Sequence, residues 1–457
     1  MDSAAATKAI AEFAATLGYA DIPSATVSTV KRVILDCVGT ALAATTLGEG
    51  CREAIAVARA QGGTAESTIL GVGARVPAVH AAFANGALIH ALNYDPIGAE
   101  IGHVGVAGVA APLALAEATG LTGRDLIAAV TVACEVSARV TAAISRTGRR
   151  PSEKFLSGQL LSHFGTAAGA GRALGLDAAG LESTLGLVLM QMSGSRQVVL
   201  SGDPPAKAIY GAFPSQAGVL AALLAREGLG ARYDVFGEPA GLYAAIYGGT
   251  FDAEALSGDL GRTFLLDAVE FKPWPTSNQV HAFVEAALEI ATNVRAADIA
   301  SIEVSCHSRF RPWCEPSAKR RLPENPTAAA DSIPFCVAAA LAHGEIALQA
   351  FTLDGIRDPA SLDLAARVSM RFDEAVKGAA VSVKTKAGEW VDASVESPLG
   401  SRSRPISDVR LLEKFRDCGR RSIVPLTDDR IERVIAMIHD LESLEDVGKL
   451  ARAACGQ

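Results

Sequence analysis

Two histidines and two carboxylates lie close together in one short segment of the chain: His90, Asp95, Glu100 and His103. Ala-rich apolar sequence flanks this segment on both sides, which is the setting of a buried site in a helical protein. Imidazoles titrate near neutral pH without further tuning, so the group first indicates general acid/base catalysis. The same residue types also bind metal ions, but their spacing fits no common ligand pattern, and we predict no metal site.

The two histidines have different surroundings. His90 stands in the apolar run Ala-Leu-Ile-His-Ala-Leu, which is typical of a hydrogen-bonded core histidine. His103 stands near glycines in a predicted loop. We therefore predict that His103 is catalytic and that Asp95 has a supporting, substrate-binding role.

A second set of candidates lies at the edges of apolar segments. Lys207 opens an Ala/Gly-rich apolar helix, where an ammonium group would have either the lowered pKa that a base needs or a fixed charge that binds a carboxylate. Tyr210 lies three residues further on and shares its helix face. Lys272 and His281 lie where the sequence pattern changes, and a substrate cleft between two domains would form there.

A basic group of four residues follows the predicted helix of 126–136: Arg146, Arg149, Arg150 and Lys154. Such a group is either solvated surface or a loop that binds a substrate carboxylate. We include Arg149 among the predicted substrate-binding residues.

Sequence signatures of several large enzyme classes are absent. The chain has no H-E-x-x-H, no G-x-x-x-x-G-K-[ST] and no G-x-S-x-G motif, so zinc hydrolase, P-loop and serine hydrolase chemistry have no starting point. Gly71-Val-Gly73 is only a fragment of a dinucleotide-binding loop. Nicotinamide chemistry is therefore not supported.

Helices must position most of the candidate residues. From Ala4 to about Leu266, apolar residues recur at helical spacing almost throughout. Many small residues lie in 158–176, where they would let helix backbones approach closely. We predict a mainly α protein with a large all-helical domain over 1–267.

Short strands alternate with helices after Asp267. They are predicted from alternating apolar residues and from a Lys386-Ala-Gly388 hairpin turn, at 298–307, 368–372, 381–385 and 390–395. This pattern indicates a smaller α/β domain over 268–404, and 405–457 returns to helix and completes the first domain. Since the chain would cross between the domains twice, the smaller one can move as a lid.

The composition narrows the class of protein further. The 457 residues suffice for two domains with cores of their own, and with 5% aromatic residues these cores consist of Ala, Leu, Val and Ile. A net charge of −8 argues against nucleic acid as a partner. The eight scattered cysteines indicate reduced thiols in the cytoplasm. The sequence also shows no signal peptide and no apolar run of about 18 uncharged residues, so we expect no membrane partner.

These features together resemble the MmgE/PrpD family, which includes 2-methylcitrate dehydratase, cis-aconitate decarboxylase and iminodisuccinate epimerase. The resemblance covers nearly the whole chain. The motifs that carry it are Leu35-Asp-Cys-Val-Gly39, Asn85-Gly86 with His90, Gly102-His103, Leu115-Ala-Glu117, Gly123-Arg-Asp125, Lys207, Phe271-Lys-Pro273, His281-Ala282, Asp331-Ser-Ile-Pro334 and Lys414-Phe415. Membership would imply the two domains described above, a homodimer, no obligatory cofactor and a small di- or tricarboxylate substrate.

The chain also departs from the family pattern at several positions. The decarboxylases and dehydratases resemble H-x-x-D-x-D-D-T where this chain has Asn93, Pro96 and Ile97. A family histidine is missing near 155–157, and two further family residues, a histidine and a tyrosine, correspond to Tyr210 and Phe335.

Elimination and decarboxylation need more acid and base groups than epimerisation, which needs one base, one acid on the opposite face and cations for the carboxylates. The resemblance and its departures therefore predict an iminodisuccinate-like epimerase with His103, Lys207 and Tyr210 as catalytic residues. Two alternatives stay open: a lyase of the methylcitrate or aconitate type, and a family member without activity.

Overall fold

The structure is a computed structural model that describes residues 3–148 and 154–457. Helices form most of the first part of the chain. They are α1 (Ser3–Thr16), α2 (Ser24–Leu47), α3 (Cys51–Ala60), α4 (Ala78–His90), α5 (Val104–Gly108), α6 (Ala110–Thr119), α7 (Gly123–Ser145), α8 (Ser157–Ala173), α9 (Ala178–Leu189), α10 (Gln197–Leu200), α11 (Ala212–Arg226), α12 (Leu242–Tyr247) and α13 (Ala253–Ser257). A short hairpin interrupts the helices and consists of two strands of two residues each, β1 (Ser67–Thr68) and β2 (Arg75–Val76). The Gly71-Val-Gly73 fragment lies in the loop between them.

Helix α7 is buried along almost its whole length. It begins where the Thr122 hydroxyl accepts a hydrogen bond from the Asp125 backbone N–H, and the Asp125 carboxylate accepts one from the Thr122 backbone in return. Gly165 of α8 faces it so closely that a Cβ there would lie 2.5 Å from the carbonyl oxygen of Ala133. The small residues of 158–176 thus allow the close helix packing that the sequence predicts.

Two helical stretches, Gly123–Ser145 and Pro205–Arg226, are long and apolar enough to cross a membrane by length and composition alone. Every 18-residue window of the first stretch contains the charged residue Glu135, and the expectation of no membrane partner stays a prediction. The protein buries 94% of the most apolar window of the first stretch and 67% of that of the second. Burial in a helical core accounts for such a composition, since a core helix is apolar on every side.

The second part of the chain combines helices with a four-stranded sheet. The helices are α14 (His281–Ala291), α15 (Arg311–Cys314), α16 (Ser317–Arg321), α17 (Pro326–Ala330), α18 (Ile333–His343) and α19 (Pro359–Ala366). The strands are β3 (Ile299–Cys306), β4 (Val368–Phe372), β5 (Ala379–Thr385) and β6 (Trp390–Val395). The four predicted strands are confirmed, and the mainly α fold class with a smaller α/β part is confirmed with them.

The sheet has the order β4-β3-β5-β6. Strand β3 pairs parallel to β4, with Val304 opposite Met370, and antiparallel to β5, with Val304 opposite Val381. The β5–β6 pair closes through the predicted turn, where Gly388 adopts a positive φ of 91°. Helix α14 packs against β5 and β6.

Buried apolar side chains form two large clusters. One combines residues from 6–271 with residues from 406–454, and the other takes residues from 274–395. The C-terminal helices α20 (Asp408–Arg420), α21 (Asp428–His439) and α22 (Gly448–Ala453) belong to the first cluster, where α20 packs on α2. The predicted domains, 1–267 with 405–457 and 268–404, follow the same division and stay a prediction.

Candidate active site

A cavity of about 230 Å³ is lined by residues from both parts of the chain. Its polar and charged lining consists of His90, Asn93, His103, Arg196, Asp203, Lys207, Tyr210, Ser277, Asn278, Gln279, Arg320 and Asp331. The three residues predicted to be catalytic, His103, Lys207 and Tyr210, are all among them. We take this cavity as the candidate active site because it brings cations, imidazoles and a phenol together.

A larger groove of about 810 Å³ lies between α2 and the helices α20 and α21. Its cations are already paired, Lys31 with Glu442 at 2.6 Å and Arg32 with Asp408 at 3.0 Å. Most of its other lining is apolar. Size alone therefore does not identify the active site, and the smaller cavity is the better candidate because its lining contains imidazoles, a phenol and an ammonium group.

Asp95 is the centre of the histidine cluster. One carboxylate oxygen lies 3.0 Å from Nδ1 of His90 and the other 3.0 Å from Nδ1 of His103. Burial alone would raise the pKa of this fully buried carboxyl, but the attraction of the two imidazoles and their hydrogen bonds hold the pKa well below its usual range. Asp95 is therefore charged and accepts both bonds.

This arrangement fixes how the two rings carry their protons. A carboxylate can only accept, so Nδ1 of each ring donates and Nε2 is left for other partners. Burial lowers the pKa of His90, against the opposing effect of Asp95, so this ring is neutral and its Nε2 has a lone pair. His90 is buried and hydrogen-bonded as predicted, yet it also lines the cavity, which its sequence surroundings did not indicate.

The same three residues, His90, Asp95 and His103, offer possible metal-ligand atoms within 4.8 Å of one another. Two Nδ1–H groups that donate to one carboxylate account for this geometry without an ion. Glu100, the fourth member of the sequence cluster, is exposed and lies 3.5 Å from Arg146 instead. The prediction of no metal site stays a prediction.

Tyr210 packs directly on the histidine pair. Its ring centroid lies 3.9 Å from that of His90 and 6.0 Å from that of His103. Burial first, and then Asp95 and Asp331, raise the pKa of this phenol well above its ordinary value, so Tyr210 stays protonated. A Cβ on Gly158 would lie 2.7 Å from the Tyr210 hydroxyl and 3.3 Å from Cδ2 of His103, so the lack of a side chain at Gly158 keeps this corner open.

Lys207 lies in a 3₁₀ turn, Pro205–Ile209, just before α11. Its Nζ contacts a carboxylate oxygen of Asp331 and lies 2.9 Å from one of Asp203. Burial alone would lower the pKa of Lys207, but the two carboxylates outweigh it and raise the pKa. Of the two roles that the sequence left open for Lys207, the fixed positive charge agrees with this geometry.

Arg320 completes this ion-pair network. Its guanidinium donates to Asp203 at 3.0 Å and to the backbone oxygen of Asp331 at 3.1 Å. Asp203 itself is 1% exposed and adopts a positive φ of 54°. Two carboxylates thus neutralise two cations in the cavity wall.

Lys272 lies outside this cavity, behind Asn93. Its Nζ donates to both the backbone and the side-chain oxygen of Asn93, each at 2.7 Å. Burial, opposed in part by Asp95, lowers its pKa to about 8. Lys272 therefore contacts the site through Asn93.

His281 faces a neighbouring cavity of about 240 Å³, which Lys272 also lines. The ring is buried, and burial together with the charge of Lys272 lowers its pKa to about 3. Asn278 and Gln279 line both cavities and separate them. The structure thus places His281 and Lys272 next to the catalytic candidates but not in one cavity with them, because the 3₁₀ turn Asn278–Val280 lies between. The predicted substrate-binding residue Arg149 is outside the described residues.

The positions that depart from the family pattern have structural contacts of their own. Ile97 forms an isolated antiparallel bridge with Glu270, with N···O distances of 3.0 and 2.6 Å. Phe335 is fully buried in the core of the second part. Asn93 adopts a positive φ of 49°, a conformation that Asn tolerates better than most residues.

Several site residues were missed by the sequence reasoning: His90, Arg196, Asp203, Arg320 and, as a partner of Lys207, Asp331. Asp203 could have been found, since it lies four residues before Lys207 and the pair faces one side of a turn. His90 stands in the sequence cluster but was assigned to the core, and Arg196 stands in no pattern that marks it. Arg320 and Asp331 come from the second part of the chain, and no local pattern indicates that they pair with Asp203 and Lys207.

Comparison with known proteins agrees with this architecture. The family model for the MmgE/PrpD N-terminal domain matches residues 8–254, and that for the C-terminal domain matches 274–440. The chain is 26% identical over 435 residues to a cis-aconitate decarboxylase of Homo sapiens, covering 92% of this chain and 88% of the relative. It is 24% identical over 485 residues to one of Aspergillus terreus, covering 97% and 94%. These relatives give no support to the finer prediction of an epimerase, but the two domain matches together show that the chain belongs to the MmgE/PrpD family.

Proposed function

We propose that this protein is a cofactor-independent lyase that removes carbon dioxide from a small unsaturated tricarboxylate of the cis-aconitate kind. The observation that carries the proposal is the cluster in which Asp95 holds two imidazoles beside the protonated Tyr210 and the charged Lys207. The names of the relatives support the same alternative, which the sequence left open beside epimerisation.

The reaction requires a group that binds one substrate carboxylate and a donor that delivers a proton to a substrate carbon atom. Lys207 is kept charged by its two carboxylate partners, and since an ammonium group has three N–H donors, it can also donate a hydrogen bond to a substrate carboxylate in the cavity. When a second carboxylate leaves as carbon dioxide, the electron pair of the broken C–C bond stays on the substrate, delocalised over its double bond and a remaining carboxylate. A proton donor then delivers a proton to carbon, and the ring of His103 and the hydroxyl of Tyr210 are the groups placed to do so.

The charge of Lys207 changes one role that the sequence suggested. A general base must start neutral, whereas Asp203 and Asp331 favour the ammonium form of Lys207. We therefore assign Lys207 to carboxylate binding and to stabilisation of developing negative charge. Proton transfer falls to the histidines and Tyr210.

The test is incubation of the protein with ¹³C-labelled cis-aconitate in deuterated water, followed by NMR. We expect labelled carbon dioxide and one deuterium on the product carbon. His103→Gln should lower kcat by at least about a hundredfold, as loss of one general acid or base does. His439→Gln is the matched control, because that histidine pairs with Asp440 in the same way at 2.7 Å but is 82% exposed. No carbon dioxide above the level of a heat-denatured sample would refute the proposal.

A second candidate function is epimerisation of an iminodisuccinate-like dicarboxylate. One observation favours it: the neutral His90, with its free Nε2 lone pair, and the protonated Tyr210 place a base and an acid in one cavity. Chiral iminodisuccinate in deuterated water distinguishes the two functions, since an epimerase incorporates solvent deuterium at Cα and releases no carbon dioxide. Absence of reaction with both substrates would favour the third possibility, a family member without activity.

Two further expectations remain proposals. A cytoplasmic location is supported by the eight free cysteines, all of them buried. A homodimer is supported by family resemblance, and by a row of half-exposed apolar side chains on α11, namely Phe213, Leu220 and Leu224.

A further inference from the structure

Most of the charge in the wall of the candidate active site is already neutralised. Lys207 and Arg320 are the cations that pair with Asp203 and Asp331. These ion pairs leave the cavity with little net charge for a multiply charged substrate. The remaining cation in the described part of the lining is Arg196.

The Arg196 side chain differs from the other two cations. Its residue is half-buried, and within 3–148 and 154–457 its guanidinium makes no hydrogen bond or ion pair. An unpaired guanidinium in a cavity wall is a preformed site for a carboxylate, which its parallel N–H groups bind in a bidentate manner.

The backbone around Arg196 is held in place. Its N–H donates to the carbonyl oxygen of Lys154 at 2.9 Å, and Leu156 N–H donates to the carbonyl oxygen of Gly194 at 2.7 Å. The stretch that contains Leu156 continues to Gly158, where an added Cβ would lie 2.7 Å from the Tyr210 hydroxyl and 3.3 Å from Cδ2 of His103. The backbone at Arg196 is thus tied to the segment that borders the groups that transfer the proton.

We propose that Arg196 binds a second carboxylate of the substrate, remote from the one that Lys207 holds, and so selects for di- and tricarboxylates over monocarboxylates. This inference rests on the proposed function for its choice of cavity. Arg196 is a specificity residue: it fixes the position of the substrate while the histidines and Tyr210 act on carbon.

The experiment measures binding without turnover, by isothermal titration calorimetry of the intact protein with propane-1,2,3-tricarboxylate and with butanoate. We expect Arg196→Gln to weaken binding of the tricarboxylate at least about tenfold and to leave butanoate binding within twofold. Arg196→Lys should be intermediate, since it keeps the charge but loses the bidentate geometry. Arg262→Gln is the control, because this side chain is 84% exposed and Arg262 does not line any of the cavities described above.

Two results would overturn the inference: binding of the tricarboxylate by Arg196→Gln within twofold of wild type, or no binding to wild type at millimolar concentration. An equal loss of butanoate binding would also overturn it, because the effect would then not depend on a second carboxylate. Failure of the proposed lyase activity is recognised separately, since carbon dioxide release is measured in a different assay.

Discussion

Asp95→Asn tests the proposed site at its centre. The amide is nearly isosteric, but it has one acceptor and one donor group where the carboxylate accepts two hydrogen bonds at 3.0 Å. One of the two imidazoles must then accept at Nδ1 and carry its proton at Nε2. The variant therefore moves the proton of one cavity-facing imidazole from Nδ1 to Nε2, while the packing stays almost unchanged.

The expected effects on rate and on stability differ in size. A wrongly placed proton should lower kcat by at least about a hundredfold, which corresponds to about 2.7 kcal/mol. Each hydrogen bond to the buried charge contributes about 1.5–3 kcal/mol to folding, but loss of the charge also removes a desolvation penalty of several kcal/mol. We therefore expect the free energy of unfolding at pH 7 to change by no more than about 2 kcal/mol.

The pH dependence gives the sign of the electrostatic part. Because the folded-state pKa of Asp95 lies well below its ordinary value, its pairing stabilises the wild type above the unfolded pKa of about 3.9 and is lost as the pH falls through the lower, folded pKa. The Asp95→Asn variant should lack this part of the acid dependence. Urea unfolding at a series of pH values measures it.

Turnover of labelled cis-aconitate and urea unfolding are compared between Asp95→Asn and the control Asp440→Asn. Asp440 forms the same type of pair with a histidine, but its side chain is 70% exposed, so the control should change neither quantity measurably. If Asp95→Asn keeps kcat within threefold of wild type, the two imidazoles are not the proton-transfer groups and the reasoning fails.

Further predictions concern the neighbouring groups. Gly158→Ala places a Cβ 2.7 Å from the Tyr210 hydroxyl and should lower kcat/KM at least about tenfold while the circular dichroism spectrum stays unchanged. Wild-type kinetics of this variant would contradict the inference that the site has no room for a side chain at Gly158. Lys207→Met leaves the buried Asp331 carboxylate without its ammonium partner and should lower the free energy of unfolding by about 3–5 kcal/mol, as urea titration would show, whereas Lys207→Arg should lower it less. Lys272 has a pKa of about 8 in the folded protein and about 10.4 in the unfolded chain, so between these pH values the folded state binds fewer protons. The free energy of unfolding of the wild type should therefore rise relative to that of Lys272→Met from about pH 8 to about 10.4. Parallel pH profiles of the two proteins would refute this. Light scattering should give twice the chain mass of 47.1 kDa if the expected homodimer forms.

Much of the fold follows from local patterns in the sequence. The alternation at 298–307 and the turn at Gly388 predict strands that the structure confirms, because alternation and turn chemistry act over a few residues. Helical spacing likewise predicts the large helical part. The membrane-like composition of Gly123–Ser145 shows the limit of this reasoning, since only packing reveals that other helices cover it.

For the candidate site, too, some features could be predicted from the sequence and others could not. The sequence by itself indicated His103, Lys207 and Tyr210, because residue type and an apolar setting are enough to suggest chemistry. Only the tertiary structure decided their charge states: Asp331 lies 124 residues after Lys207 and makes it a fixed cation. It also placed His90 in the cavity wall. Such pairings depend on how distant segments pack, and a pKa depends on the burial and charges that this packing creates, so neither can be read from local spacing.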